Sequence, residues 1–262
     1  MEMNKMTNPG HLSEQVIFAA GGNATAIAII DKGLARKEYE ARGLALMDAY
    51  ENLGIEQCGF AVLESTHFEM AGGEFCGNAA RSAAIVFHNH LQKNEFEFTM
   101  SGFPGKVIAQ VESTGNNEYF VKCFFPKLNT VAQQVLVMNK PAQLVDLGGI
   151  VHVVLMEEFP QDSYESTHRQ VTQELKLETR DAVGVLWGEK DGDSVKMHPV
   201  VWVRAIDTFF YETSCGSGSI AMAAALGATE ICQPSEQLIN VLIDDSGVSL
   251  SSNMEVKHVY GE

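Results

Sequence analysis

The stretch EFCGNAARSAAIVFHNH (residues 74–90) decides the fold, because it has a counterpart in TSCGSGSIAMAAALG (residues 213–227). In both, a Cys-Gly pair stands directly before a run rich in alanine. Alanine has the highest helix propensity, so each run predicts a helix that begins just after its Cys-Gly pair. We place the first helix at about residues 79–90 and expect the second to reach residue 226. Two such segments indicate an internal repeat.

The segments that precede the two Cys-Gly pairs also correspond in order. Residues 16–30 and 145–156 each hold two apolar runs around a Gly-Gly turn, a pattern typical of paired strands. A helix is predicted after each, at residues 37–52 and 166–177. Small-residue segments can resemble each other by chance, and either Cys-Gly pair alone is weak evidence. Their equivalent placement in two halves favours a repeat.

Further apolar and β-rich stretches predict the other strands of the two halves. They lie at residues 59–63, 95–100, 105–111, 118–124, 182–187, 197–205, 238–243 and 254–260. The last two are expected to complete the second half. Pro126 and Pro141 bracket the crossover, so the sequence predicts an α+β protein of two similar domains, residues 1–128 and 129–262.

Composition limits the possible classes of function. The 262 residues are 45% hydrophobic and 20% charged, as in ordinary globular proteins. The formal net charge of −16 disfavours nucleic acid and anionic membranes as partners. Residues 1–10 are polar, and the longest run of small apolar residues, 220–226, is too short to cross a bilayer. We therefore expect a cytoplasmic protein.

The five cysteines are expected to be reduced thiols. Their odd number and irregular spacing argue against a disulfide framework. The sequence has no Cys-x-x-Cys or His-Glu-x-x-His motif, so no metal site is expected. Cys58, Cys123 and Cys232 lie in apolar surroundings and are predicted to be core residues. Cys76 and Cys215 remain as candidates for chemistry.

A cysteine at a helix start is placed for acid-base chemistry. The helix dipole is expected to lower the pKa of its thiol, and the first N–H groups can bind a carboxylate. Gly77 and Gly216 would let a ligand approach the backbone closely. Two such helix starts facing each other would hold an amino acid between two thiols, one on each face of its α-carbon. No pyridoxal site or phosphate-loop motif is present, so the residues predict a cofactor-independent racemase or epimerase.

Three motifs carry a resemblance to a known family: GN at residues 22–23, EFCGNA at residues 74–79 and SCGSG at residues 214–218. Over nearly its whole length the chain resembles the diaminopimelate epimerase superfamily, which includes proline racemases and related amino-acid racemases. That resemblance implies two pseudo-symmetric domains, each a β-sheet wrapped around a central helix. It also implies a two-thiol mechanism without pyridoxal phosphate, and commonly a homodimer.

The departures from diaminopimelate epimerases concern the far end of their substrate. Those enzymes carry Gly-Asn-Pro-His at the second glycine turn, where this chain has GIVH at residues 149–152. They carry Glu-Arg nine and eight residues before the second cysteine, where this chain has Ile206 and Asp207. In that family the Asn and the Arg hold the distal end of diaminopimelate. Their loss argues against a substrate with a distal carboxylate, which Asp207 would repel.

Histidine racemases of metallophore synthesis are more similar. They share Gly-Asn-x-Thr, Gly-x-Glu-Phe-Cys-Gly-Asn-Ala and Glu-x-Ser-Cys-Gly-Ser-Gly, here residues 22–25, 72–79 and 212–218, and a Glu-Gln pair at residues 56–57. The resemblance implies interconversion of L- and D-histidine, with an acid-base pair and six residues that bind the amino acid. The acid-base pair would be Cys76 and Cys215, and the binding residues Asn23, Glu56, Gly77, Asn78, Gly216 and Ser217.

Several alternatives remain open at this point. The chain could be a diaminopimelate epimerase, a racemase of another amino acid, a non-catalytic relative of the fold that binds a small acid, or an isomerase that uses other residues. Glu56 would contact the amine or the imidazole by the similarity, but it could equally be an exposed carboxylate at a helix exit. His152 could be a core residue or could support the site. The sequence does not assign either cysteine to one enantiomer.

Overall fold

The computed structural model describes residues 11–191, 194–204 and 207–260. The polar segment 1–10 and Ile206, both considered above, lie outside the described residues. The elements of the first half are β1 (His11–Ala19), β2 (Gly22–Ile30), α1 (Arg36–Ala49), a 3₁₀ turn (Glu51–Leu53), β3 (Ile55–Val62), β4 (His67–Met70), α2 (Gly77–Leu91), β5 (Glu95–Met100), β6 (Phe103–Gly115) and β7 (Glu118–Pro126).

The elements of the second half are β8 (Ala132–Val137), β9 (Lys140–Asp146), β10 (Val151–Leu155), α3 (Tyr164–Glu174), β11 (Ala182–Asp191), β12 (Ser194–Val203), β13 (Thr208–Tyr211), α4 (Gly216–Leu226), β14 (Glu230–Cys232), β15 (Leu238–Asp244) and β16 (Gly247–Tyr260). The protein is thus of mixed α/β class, and strands dominate. Each predicted helix and strand is found within a few residues of its expected place. The sequence patterns do not predict the short strands β4, β8, β13 and β14.

Eight strands form a closed barrel in the first half. Strands β1 to β7 follow one another around it, and β16 closes it by pairing with both β7 and β1. Leu250 of β16 lies opposite Cys123, and Met254 lies opposite Ala19. The expectation that residues 254–260 complete the second half is therefore wrong. Met254 is buried in the main hydrophobic core, and this burial favours the crossing of β16 to β1.

Helix α2 is buried over most of its length and contacts every strand of this barrel. Its alanines make the close packing possible, because a small side chain lets the neighbouring strands approach the helix axis. Ala79, Ala80, Ala83 and Ala84 are all fully buried. The composition that predicted a helix therefore also explains why the helix lies in the core.

The second half continues the same sheet through β15, β14, β12, β11, β10, β9 and β8, with β13 paired to β12. Helix α4 contacts most of these strands, and it also contacts α2. No described strand pairs with the outer edge of β8, so this part of the sheet is open where the first half is closed. Helices α1 and α3 pack on β2–β3 and on β11–β12. None of the described helices is both long and apolar enough to span a membrane.

Candidate active site

The two Cys-Gly pairs meet where the N-termini of α2 and α4 approach each other. Cys76 is the N-cap residue of α2, and Cys215 is that of α4. A Cβ atom added to Gly216 would lie 3.0 Å from the carbonyl carbon of Gly77, and one added to Gly77 would lie 3.3 Å from that of Gly216. The two helix starts are therefore in backbone contact, which glycine permits. The structure brings both candidate catalytic cysteines to one site.

The first thiol, that of Cys76, is half-buried. Its Sγ atom accepts a hydrogen bond from the backbone N–H of Ala79 (3.4 Å). The thiol donates to Oε1 of Gln57, 2.6 Å away on β3. The first cysteine is therefore held by its own helix start and by one strand of the closed barrel.

The second thiol, that of Cys215, is 1% exposed. Its Sγ atom accepts a hydrogen bond from the N–H of Gly218 (3.2 Å) and lies 3.7 Å from Oγ of Ser217. The thiol also hydrogen-bonds to the carboxylate of Glu212. The backbone N–H of Cys215 donates to Oε1 of the buried Gln233 (2.8 Å). The second helix start is thus fixed by more side chains than the first.

Both thiols have raised pKa values, contrary to the expectation from the helix dipole. Burial raises the pKa of Cys76 to about 12, and burial also raises the pKa of Cys215 well above its usual value. The carboxylate of Glu212 acts in the same direction on both thiols, and the N–H groups of each helix start oppose the shift. Loss of hydration therefore outweighs the helix dipole, and both cysteines are thiols at neutral pH.

Two half-buried carboxylates border the thiols: Glu56 on β3 and Glu212 just after β13. Burial raises the pKa of Glu56 to about 7 and that of Glu212 to about 8, and Glu56 repels the charge of Glu212. Oε1 of Glu56 accepts a hydrogen bond from Oγ1 of Thr213 (3.0 Å), which in turn accepts the N–H of Asn23 (3.0 Å). Glu56 is therefore half-buried and hydrogen-bonded to Thr213, rather than an exposed carboxylate at a helix exit.

Several buried polar atoms of this region have no hydrogen-bond partner among the described residues. Oδ1 of Asn23, Oε2 of Glu56 and Nε2 of Gln57 lie on the first-half strands, and Oγ of Ser214 and Nδ1 of His152 belong to the second half. Leaving such an atom without a partner costs about 1–3 kcal/mol, so a cluster of them indicates space for a ligand. The two acceptors of the first half suit an ammonium group or a ring N–H, and the amide donor suits a carboxylate or an unprotonated ring nitrogen.

Asn78 connects the two helix starts through its side chain. Its Nδ2 atom donates to the carbonyl oxygen of Ser214 (2.9 Å), the residue before Cys215. Its Oδ1 atom accepts a hydrogen bond from Arg81, which is fully buried in α2. Because the side chain is engaged within the protein, any contact of Asn78 with a substrate would be through its backbone.

Ser217 has the position in the second half that Asn78 has in the first. Its Oγ atom lies 3.0 Å from Nε2 of His152, a fully buried residue of β10. Burial lowers the pKa of His152 to about 3, so the imidazole is neutral. A Cβ atom on Gly184 would lie only 2.1 Å from Nδ1 of His152, which explains the glycine in β11. Ser217 and His152 thus form a row of polar side chains behind the thiol of Cys215.

Two of the described residues that distinguish this chain from diaminopimelate epimerases, Asp207 and Ile150, lie in different surroundings. The exposed carboxylate of Asp207 accepts hydrogen bonds from Nε1 of Trp202 (2.8 Å) and from Arg169 (3.3 Å). Its charge is therefore engaged in a surface ion pair. Ile150 is buried in the main core beside the second glycine turn.

The remaining cysteines do not join the site. Cys58 and Cys123 are buried, as expected, whereas Cys232 is only half-buried because it ends the short strand β14. All five cysteines are free thiols. Within the described ranges, no group of three or more His, Cys, Asp or Glu side chains is arranged to bind a metal ion.

Sequence reasoning did not assign a role to several polar residues of the site. Glu212 and Gln57 stand inside motifs quoted above, so their place beside the cysteines was a usable signal. Arg81 was also visible, as the single charged residue in the alanine-rich run. Thr213 and Gln233 carry no such signal, because long-range contacts bring them to Asn23 and Cys215.

Comparison with known proteins gives a family. The family model described as "Histidine racemase CntK N-terminal domain" matches residues 18–258. Two histidine racemases from strains of Fusobacterium nucleatum subsp. nucleatum are 29% and 31% identical to this chain. Each alignment covers 74% of this chain and 76% of the relative.

Solved structures share the fold at low sequence identity. A phenazine biosynthesis protein of the PhzF family from Enterococcus faecalis matches with a TM-score of 0.58 and 15% identity, over 95% of this chain and 98% of that one. A predicted epimerase from Pseudomonas aeruginosa matches with a TM-score of 0.62 and 14% identity, over 96% and 99% of the two chains. Taken with the family match, the chain belongs to the histidine racemase family and is an isomerase of the racemase class.

Proposed function

We propose that the protein interconverts L- and D-histidine without a cofactor, using Cys76 and Cys215 as an acid-base pair. One observation carries this proposal: two cysteine-capped helix starts lie in backbone contact at Gly77 and Gly216. Inversion of a stereocentre needs a base on one face of the α-carbon and an acid on the other. Two thiols from opposite halves of the chain can meet that need, and membership of the family supports histidine as the substrate.

The α-carboxylate of the substrate would bind between the helix starts. The N–H groups of the first turn have no intrahelical acceptor, and each helix dipole is positive at this end. Gly77, Asn78, Gly216 and Ser217 contribute these groups. Negative charge develops on the carboxylate as the α-proton leaves, so these donors would stabilise the transition state more than the ground state.

The proton balance of the reaction involves both cysteines. One cysteine enters as a thiolate and removes the α-proton, while the thiol on the opposite face delivers its proton to the α-carbon. The product leaves with the two protonation states exchanged, so the same site can work in both directions. Since both thiols are protonated in the free protein, one proton must leave before the reaction begins.

The cationic end of the substrate would bind at the two carboxylates. Oε2 of Glu56 and Oδ1 of Asn23 have no hydrogen-bond partner within the described part of the chain, so they can accept N–H groups from the ammonium or the imidazole. A cation bound beside Glu56 and Glu212 would offset their charge. It would also favour a thiolate at Cys76 or Cys215, and this would couple substrate binding to the release of the proton.

The wider architecture is proposed on the same basis. We propose two pseudo-symmetric domains, residues 1–128 and 129–262, each a sheet around its own central helix, with β16 returning to the first. Contacts of α2 and α4 with the strands of their own halves support this arrangement. A homodimer and a cytoplasmic location are further expectations from the resemblance.

The test is chiral analysis of a panel of L-amino acids incubated with the protein and a reductant, with α-proton exchange followed in D₂O. L-histidine should yield D-histidine. Cys76→Ser and Cys215→Ser should each lower the rate by about 10²–10⁴-fold, the usual contribution of a general acid or base. Cys58→Ser is the matched control and should keep activity. Exchange with diaminopimelate alone would identify the alternative substrate, and exchange with no amino acid would make the proposal wrong.

A further inference from the structure

Arg81 is a buried cation whose side-chain hydrogen bonds go to neutral groups. It is 0% exposed. Its Nε atom donates to the carbonyl oxygen of Gly77 (3.2 Å), and its two terminal nitrogens donate to Oγ of Ser252 and to Oδ1 of Asn78. All three acceptors are neutral. Among the described residues, no carboxylate lies within ion-pair distance of Arg81.

Such an arrangement is costly, because a buried charge without a counter-charge loses its hydration and gains little in return. Burial lowers the pKa of Arg81 to about 10, so the guanidinium still carries its charge at neutral pH. An unbalanced buried cation is understandable if an anion is present during part of the protein's working cycle. In the proposed reaction the site holds two such anions: the thiolate of one cysteine and the α-carboxylate of the bound amino acid.

The position of Arg81 suits both anions. It lies one turn into α2, whose N-cap residue is Cys76, and the thiols of Cys123, Cys76 and Cys215 act on it to raise its pKa. It also holds the amide of Asn78, whose other end binds the carbonyl of Ser214 next to Cys215. One guanidinium is therefore connected to both halves of the site.

We propose that Arg81 is a positioning residue that supplies one fixed positive charge to both thiols and holds Asn78 as the link between the helix starts. A racemase must stabilise a thiolate on either side in turn, and a shared cation does so without moving. The titratable groups around it are the three thiols, with the carboxylates of Glu212 and Glu74 beyond them. The catalytic part of this proposal rests on the proposed function, whereas the electrostatic part does not.

The electrostatic part is tested without substrate. The rate of alkylation of Cys76 and Cys215 by iodoacetamide is measured against pH, with mass spectrometry to identify each site. In Arg81→Met the pH midpoint should rise at both cysteines, because the thiolates lose a nearby positive charge. Arg169→Met removes an exposed arginine paired to Asp207, and it is the matched control that should leave both midpoints unchanged.

The catalytic part is tested with L-histidine. Arg81→Met should lower kcat by about 10–100-fold with a smaller change in KM, because the lost charge acts on the thiolate and on the transition state. Arg81→Lys keeps a positive charge but loses the planar guanidinium, whose two terminal nitrogens donate to Asn78 and Ser252. It should therefore keep the alkylation midpoints near those of the unmodified protein and still lose kcat.

The outcomes separate the two proposals. A folded Arg81→Met with unchanged midpoints at both cysteines would overturn the role of Arg81, whatever the activity. If Arg81→Met does not fold, Arg81→Lys decides: full kcat in that variant would show that the link to Asn78 is not needed, and the proposal would fail. Absence of racemisation by the unmodified protein would refute the proposed function and leave the alkylation result standing.

Discussion

The two helix starts share one geometry and differ in almost everything that surrounds them. Each cysteine caps its helix and accepts a backbone N–H three residues later, so the repeat preserves the local structure. Cys76 is half-buried and bound to a neutral amide, Gln57, in a closed barrel. Cys215 is buried and bound to a carboxylate, Glu212, with Ser217 beside it in the open part of the sheet. The repeat determines where the two thiols lie. The residues around them that differ between the halves, Gln57, Glu212 and Ser217, determine their burial and hydrogen bonding.

Among changes that compare the surroundings of the two cysteines, the largest expected effect comes from separating the helix starts. In Gly216→Ala the new Cβ would meet Oδ1 of Asn78 at 2.8 Å and backbone atoms at 3.0 Å, so the helices must move apart. A displacement of about 1 Å can lower the rate of a positioned reaction by about 10²-fold. In Gly77→Ala the closest atom is the flexible end of Leu250, so the loss should be smaller.

The measurement is kcat with L-histidine for both variants, with circular dichroism to confirm folding. Gly33→Ala is the control, because its Cβ would make only an ordinary 3.4 Å contact with the hydroxyl of Tyr39. Equal losses in Gly216→Ala and Gly77→Ala would contradict the structural difference between the two starts.

The second effect concerns the charges that the thiols share. Glu212 raises the pKa of both cysteines, whereas Glu74 acts on Cys76 alone of the two. Glu212→Gln should therefore lower the pH midpoint of iodoacetamide alkylation at Cys76 and at Cys215. Glu74→Gln should lower it at Cys76 only, and the exposed Glu64→Gln should change neither. A Glu212→Gln variant that shifts only one cysteine would show that this carboxylate does not lie between them.

The sequence predicted the half of the site that local patterns encode. Alanine runs and Cys-Gly pairs decide where a helix begins, so α2, α4 and their capping cysteines were predictable from neighbouring residues alone. The strand β16 was misassigned because its pairing with β1 joins residues more than 230 positions apart, for example Glu14 with Tyr260. Hydrophobic periodicity identifies a strand but does not name its partner.

The chemistry of the thiols was the least predictable part. The expected direction of the pKa shift at Cys76 and Cys215 was wrong because the helix dipole arises from backbone groups next in sequence to each cysteine, and burial has the larger effect there. Burial and the carboxylate of Glu212 act in the opposite direction, and both depend on tertiary packing. The contact between Glu56 and Thr213, 157 residues apart, depends on packing in the same way.

A smaller effect should appear in stability, where Asn78 and Ser217 occupy equivalent positions. Ser217→Ala leaves Nε2 of the buried His152 without its partner, which should cost about 1–3 kcal/mol of unfolding free energy. Asn78→Ala should cost more, because it removes a partner from the charged Arg81 and from the Ser214 carbonyl together. Urea denaturation measures both. The exposed Ser113→Ala is the control, and a larger loss in Ser217→Ala than in Asn78→Ala would reverse the comparison.

The smallest effect is a difference in acid stability between the halves. The second half contains two buried neutral histidines, and burial lowers the pKa of His152 to about 3 and that of His168 to about 4. Both values lie below 6.5, the usual histidine value. The contribution of each neutral ring to stability is therefore complete above pH 6.5 and is lost progressively as the pH falls towards 3–4.

Trp187 and Trp202 lie on β11 and β12, so their fluorescence reports on the second half alone. As the pH is lowered from 6.5, the tryptophan fluorescence should change first. The backbone amides of α2 in the first half should lose their protection from hydrogen exchange only at a lower pH. His168→Gln should weaken the pH dependence, and the exposed His90→Gln should not. Glu56 and Glu212 change stability with pH in the opposite direction, because their pKa values are raised in the folded protein. Their protonated carboxyl groups stabilise the fold at low pH, and this contribution is lost between about pH 4.5 and 8. Simultaneous acid unfolding of both halves would show that the two buried imidazoles do not weaken the second half selectively.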